Sequence, residues 1–209
     1  MHAEHRRRTA LRLGAATTAL AGLAVAAAAA PASGAQASPR APYGYTTRMV
    51  FDKNPSDPTN SRLYWRVYRV EDSGRQRMVV NASWRAGSGI GVKDDCASNR
   101  GWLPNGSYDV TLYTAYNGSA IKGVAFRLSD KRCHNGTGRW RTELFVHSEM
   151  TRTGGQNSRV ESQRWDGNGD YRSNGCIKLK PADVKALASY FQKYHRAGTR
   201  VAGKLTVVS

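Results

Sequence analysis

Cys176 lies in Ser173-Asn174-Gly175-Cys176-Ile177-Lys178-Leu179, and upstream stands His147-Ser148. A thiol and an imidazole are the minimum needed for nucleophilic catalysis by cysteine, with the imidazole as base. The chain has 3 cysteines. In an oxidising compartment two of them pair and one is left over. Cys96 and Cys133 bracket one strand-rich block and are the natural disulfide, although pairings through Cys176 stay open on sequence alone. The small Ser-Asn-Gly turn is expected to present the Cys176 thiol to solvent. The competing reading is a buried structural thiol beside the apolar Ile177 and Leu179.

The oxidising compartment follows from the N-terminus. Arg6, Arg7, Arg8 and Arg12 precede an uncharged Ala/Leu-rich run over 13–32, and Ala35-Gln36-Ala37 offers a cleavage site. This is the pattern of a secretory leader, 1–37. A membrane anchor is disfavoured because the run is weakly apolar and ends at Pro31, so no stable membrane insertion is expected after cleavage. Arg7-Arg8 also fits a twin-arginine export signal. An irregular entry segment, 38–45, then leads into one domain over 46–209. The chain carries 32 basic and 15 acidic residues, a net charge of +17. It is expected to be drawn to polyanions, which outside a cell are anionic wall polymers or lipid headgroups. The basic residues are scattered along strands, so no nucleic-acid partner is expected.

Those reactive groups need a scaffold, and the alternation is that of strands. Strands are expected over 46–53, 62–70, 76–84, 107–115, 121–128, 140–147 and 199–208, with turn signals at Asn54-Pro55-Ser56-Asp57-Pro58 and Glu71-Asp72-Ser73-Gly74. The best hairpin spans 62–84. Helical spacing occurs once: Pro181 opens it, and Val184, Leu187, Ala188, Phe191 and Tyr194 recur until Gly198. The expected fold is mainly β, a sandwich or barrel-like sheet packing one C-terminal helix before a last strand.

Three segments carry a family resemblance, in order. Gly101-Trp102-Leu103-Pro104-Asn105-Gly106-Ser107-Tyr108-Asp109-Val110, Val146-His147-Ser148 and Ser173 to Leu179 together resemble the signatures of the L,D-transpeptidase (YkuD-like) catalytic domain. The similarity runs over roughly 46–209. It implies a secreted cysteine peptidyltransferase that attacks a peptidoglycan tetrapeptide stem, releases D-alanine and forms a thioester, which a neighbouring stem amine resolves into a cross-link. Transfer to water instead would make an L,D-carboxypeptidase, and loss of turnover a wall-binding module of the same fold. The resemblance implies Cys176 as nucleophile, His147 as base and the Ser148 carbonyl as the group that orients the imidazole. It also implies backbone N–H groups around Asn174, Gly175 and Cys176 as oxyanion donors. Ser173 and Lys178 are candidate substrate contacts, with the Lys178 cation favouring the thiolate. No cofactor is implied. Asn174 departs from the pattern, standing where the family writes His, which leaves the acid–base work to His147.

The stretch between His147 and Ser173 is longer than the family's usual separation and reads as a surface loop. In it, Trp165 and Tyr171 are candidates to contact substrate, with packing beneath the loop as the competing reading of at least equal weight. Asp166-x-Asn168-x-Asp170 mimics the opening of a calcium loop, but Tyr171 replaces the required Gly and Ile177 the closing Glu. An Asx-rich turn is expected instead. Cys133, His134, His147 and Cys176 lack zinc-ligand spacing, so no metal site is expected.

Overall fold

A computed structural model of the protein describes residues 44–196 and 203–209. The candidate leader and 38–43 of the entry segment lie outside the described residues, as does 197–202. Gly44 and Tyr45 belong to the first strand, not to an irregular segment. In chain order the strands are β1 Gly44–Asp52, β2 Ser61–Val70, β3 Gln76–Ser88, β4 Gly106–Asn117, β5 Lys122–Leu128, β6 Lys131–Arg132, β7 Trp140–Arg141, β8 Phe145–His147, β9 Ile177–Lys178 and β10 Lys204–Val208. Among the described residues the one α-helix, α1, is Pro181–Arg196.

Eight strands close into a barrel in the order β1-β10-β4-β5-β8-β9-β3-β2. Closure removes the exposed sheet edges on which a mainly β chain would aggregate. Of the two topologies the alternation allowed, the barrel is the one formed. β2 illustrates why these residues make a wall: Leu63, Trp65 and Val67 are buried, and Arg62, Tyr64 and Arg66 alternate with them on the outer face. β2 pairs antiparallel with β3 as the expected hairpin, turned at Gly74, whose φ of 79° suits glycine. The last strand inserts between β1, which it meets parallel, and β4, which it meets antiparallel.

The apolar stripe of α1 shares a core with the inward residues of the barrel. Phe191 sits with ring centroids 5.9 Å from Trp65 and 5.5 Å from Phe126, spacings at which tilted aromatic pairs attract. The Pro104 turn is closed by Tyr108, whose hydroxyl donates to the Pro104 carbonyl at 2.7 Å. Lys53 donates to the Leu103 carbonyl at 3.0 Å and lies over the Trp102 ring. The disulfide joins Cys96 to Cys133, a separation of 37 residues. Chain entropy makes a bridge of that span worth about 4 kcal/mol.

One expected strand breaks. Residues 140–147 divide because Glu143 takes a φ of 53°, a left-handed conformation that a strand cannot contain. β7 therefore pairs with β6 in a separate two-stranded ribbon, and β8 joins the barrel beside β5. β9 is too short for alternation to reveal, since two residues carry no period.

Candidate active site

The strand register brings the thiol and imidazole together. β8 and β9 run parallel with Val146 opposite Ile177 and His147 opposite Lys178. Side chains alternate along each strand, so Val146 and Ile177 point into the main core and His147 and Lys178 to the other face. Cys176, one residue before β9, shares that second face: it packs with Ala125 and Phe145 in a small cluster of its own, flanked by Tyr116 and Ile121. His147, Ser148, Cys176 and Lys178 line one cleft of about 470 Å³.

His147 is buried, and its Nδ1 lies 3.1 Å from the Ser148 carbonyl. A carbonyl only accepts, so Nδ1 carries the proton and Nε2 is the basic nitrogen. The orienting role expected of Ser148 is thus met by geometry. Burial, reinforced by the Lys178 charge and opposed by the Ser148 carbonyl, pushes the imidazole pKa down to about 3. Between pH ~6.5, where a free histidine titrates, and pH 3, the unfolded chain binds a proton that the folded chain refuses. This contribution to stability is full above ~6.5 and is lost as pH falls toward 3. Denaturant midpoints in that window should fall less steeply with acid in His147→Gln than in the parent chain.

Cys176 is the free cysteine and is 8% exposed, which corrects the expectation of a solvent-presented thiol. The Ser-Asn-Gly turn is polar, yet Ala125 and Phe145 cover the sulfur from another part of the chain. Sγ donates to the Glu143 carbonyl at 3.6 Å. Burial raises the thiol pKa to about 11, against the pull of the Phe145 backbone, Arg141 and Lys178. A raised thiol and a lowered imidazole favour the neutral pair at rest, the state in which Nε2 is free to accept a proton. The pH dependence of iodoacetamide alkylation checks this. The rate at Cys176 should climb continuously from pH 6 to 10, whereas a preformed thiolate–imidazolium pair would give a plateau across neutrality.

The turn that carries the thiol is held from three sides. Ser173 Oγ donates to the Cys176 carbonyl at 2.6 Å and accepts from Gly89 and Gly175 N–H at 3.1 and 3.2 Å. Ser88 Oγ, which accepts from Leu103 N–H at 2.9 Å, donates to the Gly175 carbonyl at 3.4 Å. Beneath lies Arg141, a buried guanidinium that donates to the Asn174 carbonyl at 3.2 Å and to the Asp95 carbonyl. Gly175 has a φ of 112°, and a Cβ there would run into the Arg141 guanidinium. Ser173 is therefore a builder of the turn as well as part of the cleft lining. Gly175 is not an oxyanion donor, because its N–H is spent on Ser173. Asn174 is tied down through its carbonyl.

Lys178 does not stand free beside the thiol. Its ammonium is paired with Glu149, both side chains being largely buried, and the pairing tempers the field it exerts on the sulfur. Trp165 and Tyr171 are not among the residues lining the cleft. They pack edge to face at 4.9 Å, with Arg85 4.1 Å over the Tyr171 ring, and so hold the long loop against the barrel. Asp170 Oδ2 accepts from the N–H groups of Asp166 and Gly167 at 2.6 and 2.8 Å, so its carboxylate reaches back to cap the short 3-10 turn that the Asx-rich segment forms. Asp94, Asp95, Cys96 and His134 converge, but Cys96 is oxidised and cannot ligate as thiolate, and His134 is paired with Asp94 at 2.9 Å. Arg141 and Glu149 escaped sequence reasoning. Each looks like one more polar residue until a partner 30 or so positions away is known.

No family model matches the chain, and no curated protein does. A solved structure, the helical cell shape determining protein Pgp2 from Campylobacter jejuni, is similar at 18% identity with a TM-score of 0.42. The match covers 79% of this chain and 49% of that one, so the chain spans about half the length of the protein it resembles.

Proposed function

We propose that the protein is a secreted cysteine peptidyltransferase of the L,D-transpeptidase kind, forming peptidoglycan cross-links through a thioester on Cys176. The observation that carries this reading is the parallel β8–β9 pairing, which puts Cys176 and an Nδ1-protonated His147 in one cleft. As the stem carbonyl enters, the thiol leaves the Glu143 carbonyl and hands its proton to His147 Nε2 while Sγ bonds the carbonyl carbon. The developing oxyanion is assigned to the Cys176 N–H, since the Gly175 N–H is bonded to Ser173. Collapse breaks the C–N bond, and His147 returns its proton to the departing D-alanine amine. A second stem's amine, or water in a carboxypeptidase, then attacks the thioester with His147 again as base. The strong positive charge supports attraction to an anionic wall.

A second reading, a wall-binding module without turnover, is favoured by one contact: the thiol is bonded to Glu143 rather than to His147. Intact mass decides between them. Incubation of the protein with a purified tetrapeptide stem should give a tripeptidyl adduct with stoichiometric D-alanine. The absence of both, with Cys176 reduced and alkylatable, would select the binding module. Cross-linked dimer or free tripeptide as the final product separates transfer from hydrolysis.

A further inference from the structure

We propose that the concavity beside the β6–β7 ribbon, bordered by Trp140, Arg132 and a Lys131 ammonium that lies over the Tyr108 ring, is a second binding site, for a sugar ring of a glycan that carries an anionic group. Trp140 is 58% exposed, the largest exposure among the big apolar side chains of the described residues. A single exposed apolar side chain marks nothing by itself, but this indole, with Arg132 over it, borders a concavity lined by polar and charged groups. The ribbon that presents it is stiff. Arg132 pairs with Trp140 and Lys131 with Arg141, Cys133 is locked to Cys96, and the Cys133 N–H donates to the Arg139 carbonyl at 3.1 Å. Alternation then sends Arg141 inward beneath the nucleophile turn and Trp140 outward.

The indole borders a concavity of about 590 Å³, shared with Asn105, Asp130, Lys131, Arg132 and Asn135. Arg132 is held 5.1 Å over the ring, its guanidinium also donating to the Gly138 carbonyl at 3.2 Å. An aromatic plate edged by amides, a carboxylate and fixed cations matches a pyranose: C–H groups lie on the plate, and hydroxyls reach Asn105, Asn135 and Asp130. Two cations against one carboxylate favour a ring with a carboxylate or phosphate. A single-stranded nucleic acid would also stack and pair with cations. It is disfavoured because the plate is single, not one of a series.

Binding here is independent of turnover at Cys176, so the titration is run on Cys176→Ala as well as the parent chain and stands whatever the stem-peptide experiment gives. Isothermal titration would use a peptide-free oligosaccharide of alternating N-acetylglucosamine and N-acetylmuramic acid, whose lactyl group is a carboxylate. Chitotetraose serves as the neutral ring, a glycerol-phosphate oligomer as anion without ring, and oligo-dT as nucleic acid. The acidic oligosaccharide should bind saturably and better than each of the others. Trp140→Ala should weaken it about tenfold or more, and Trp140→Phe should stay within about threefold. Lys131→Ala with Arg132→Ala should abolish the advantage over chitotetraose. Each variant is checked for an unchanged Cys176 alkylation rate, which reports an intact fold. Equal affinity of Trp140→Ala and parent, no binding by the parent, or tighter binding of the glycerol-phosphate oligomer or oligo-dT would overturn the site.

Discussion

Cys176→Ala should abolish D-alanine release from a tetrapeptide stem, by on the order of 10⁴-fold or more, and leave no adduct by intact mass. The size follows from chemistry: without sulfur there is no thioester intermediate. The fold should survive, because alanine fits the small cluster of Ala125 and Phe145 that now covers the thiol. The expected loss of stability is about 1 kcal/mol, that of removing one buried atom. His147→Gln makes the complementary case. It can keep a hydrogen bond to the Ser148 carbonyl while losing the basic nitrogen, so its defect should be in turnover and not in stem binding. Turnover by Cys176→Ala at the parent's rate would refute the assignment.

Gly175→Ala is the second large effect and acts through structure. The residue sits at a φ of 112°, which alanine avoids, and its new Cβ would strike the Arg141 guanidinium. Arg141 cannot simply yield, since it satisfies the carbonyls of both Asp95 and Asn174. Strain and lost hydrogen bonds together should cost about 2–4 kcal/mol. The displaced Cys176 should lose about a hundredfold in reactivity toward a stem, because attack needs the sulfur within a fraction of an ångström of its place. A double-mutant cycle with Arg141→Ala measures the clash. The pair should be less destabilised than the sum of the singles by about 1 kcal/mol or more, and strict additivity would mean that Arg141 does not constrain this turn.

The sheet was legible wherever a strand is long enough to alternate, as in β2 with Leu63, Trp65 and Val67. The helix was legible through Val184, Leu187, Ala188 and Phe191. What failed had no local signal. The break at Glu143 turns on a single φ, and β9 on two residues that find partners in β3 and β8. Trp165 and Tyr171 lie close to the nucleophile in sequence but pack with each other, since a surface loop's first obligation is to bury its own aromatics.

The amino-acid sequence by itself determined which groups are available for chemistry: one unpaired thiol, one histidine followed by a carbonyl able to orient it, and a glycine where a tight turn must form. These are properties of residue type and order. Only the tertiary structure decided their state. Desolvation depends on what packs around a group, and the atoms covering Cys176 come from Ala125, Phe145 and Tyr116, distant along the chain. The same holds for charge, because Lys178 meets Glu149 and Arg141 meets Asn174 only when the barrel closes. A thiol expected to be open to solvent is therefore covered, bonded to the Glu143 carbonyl and held well above the usual thiol pKa by its burial.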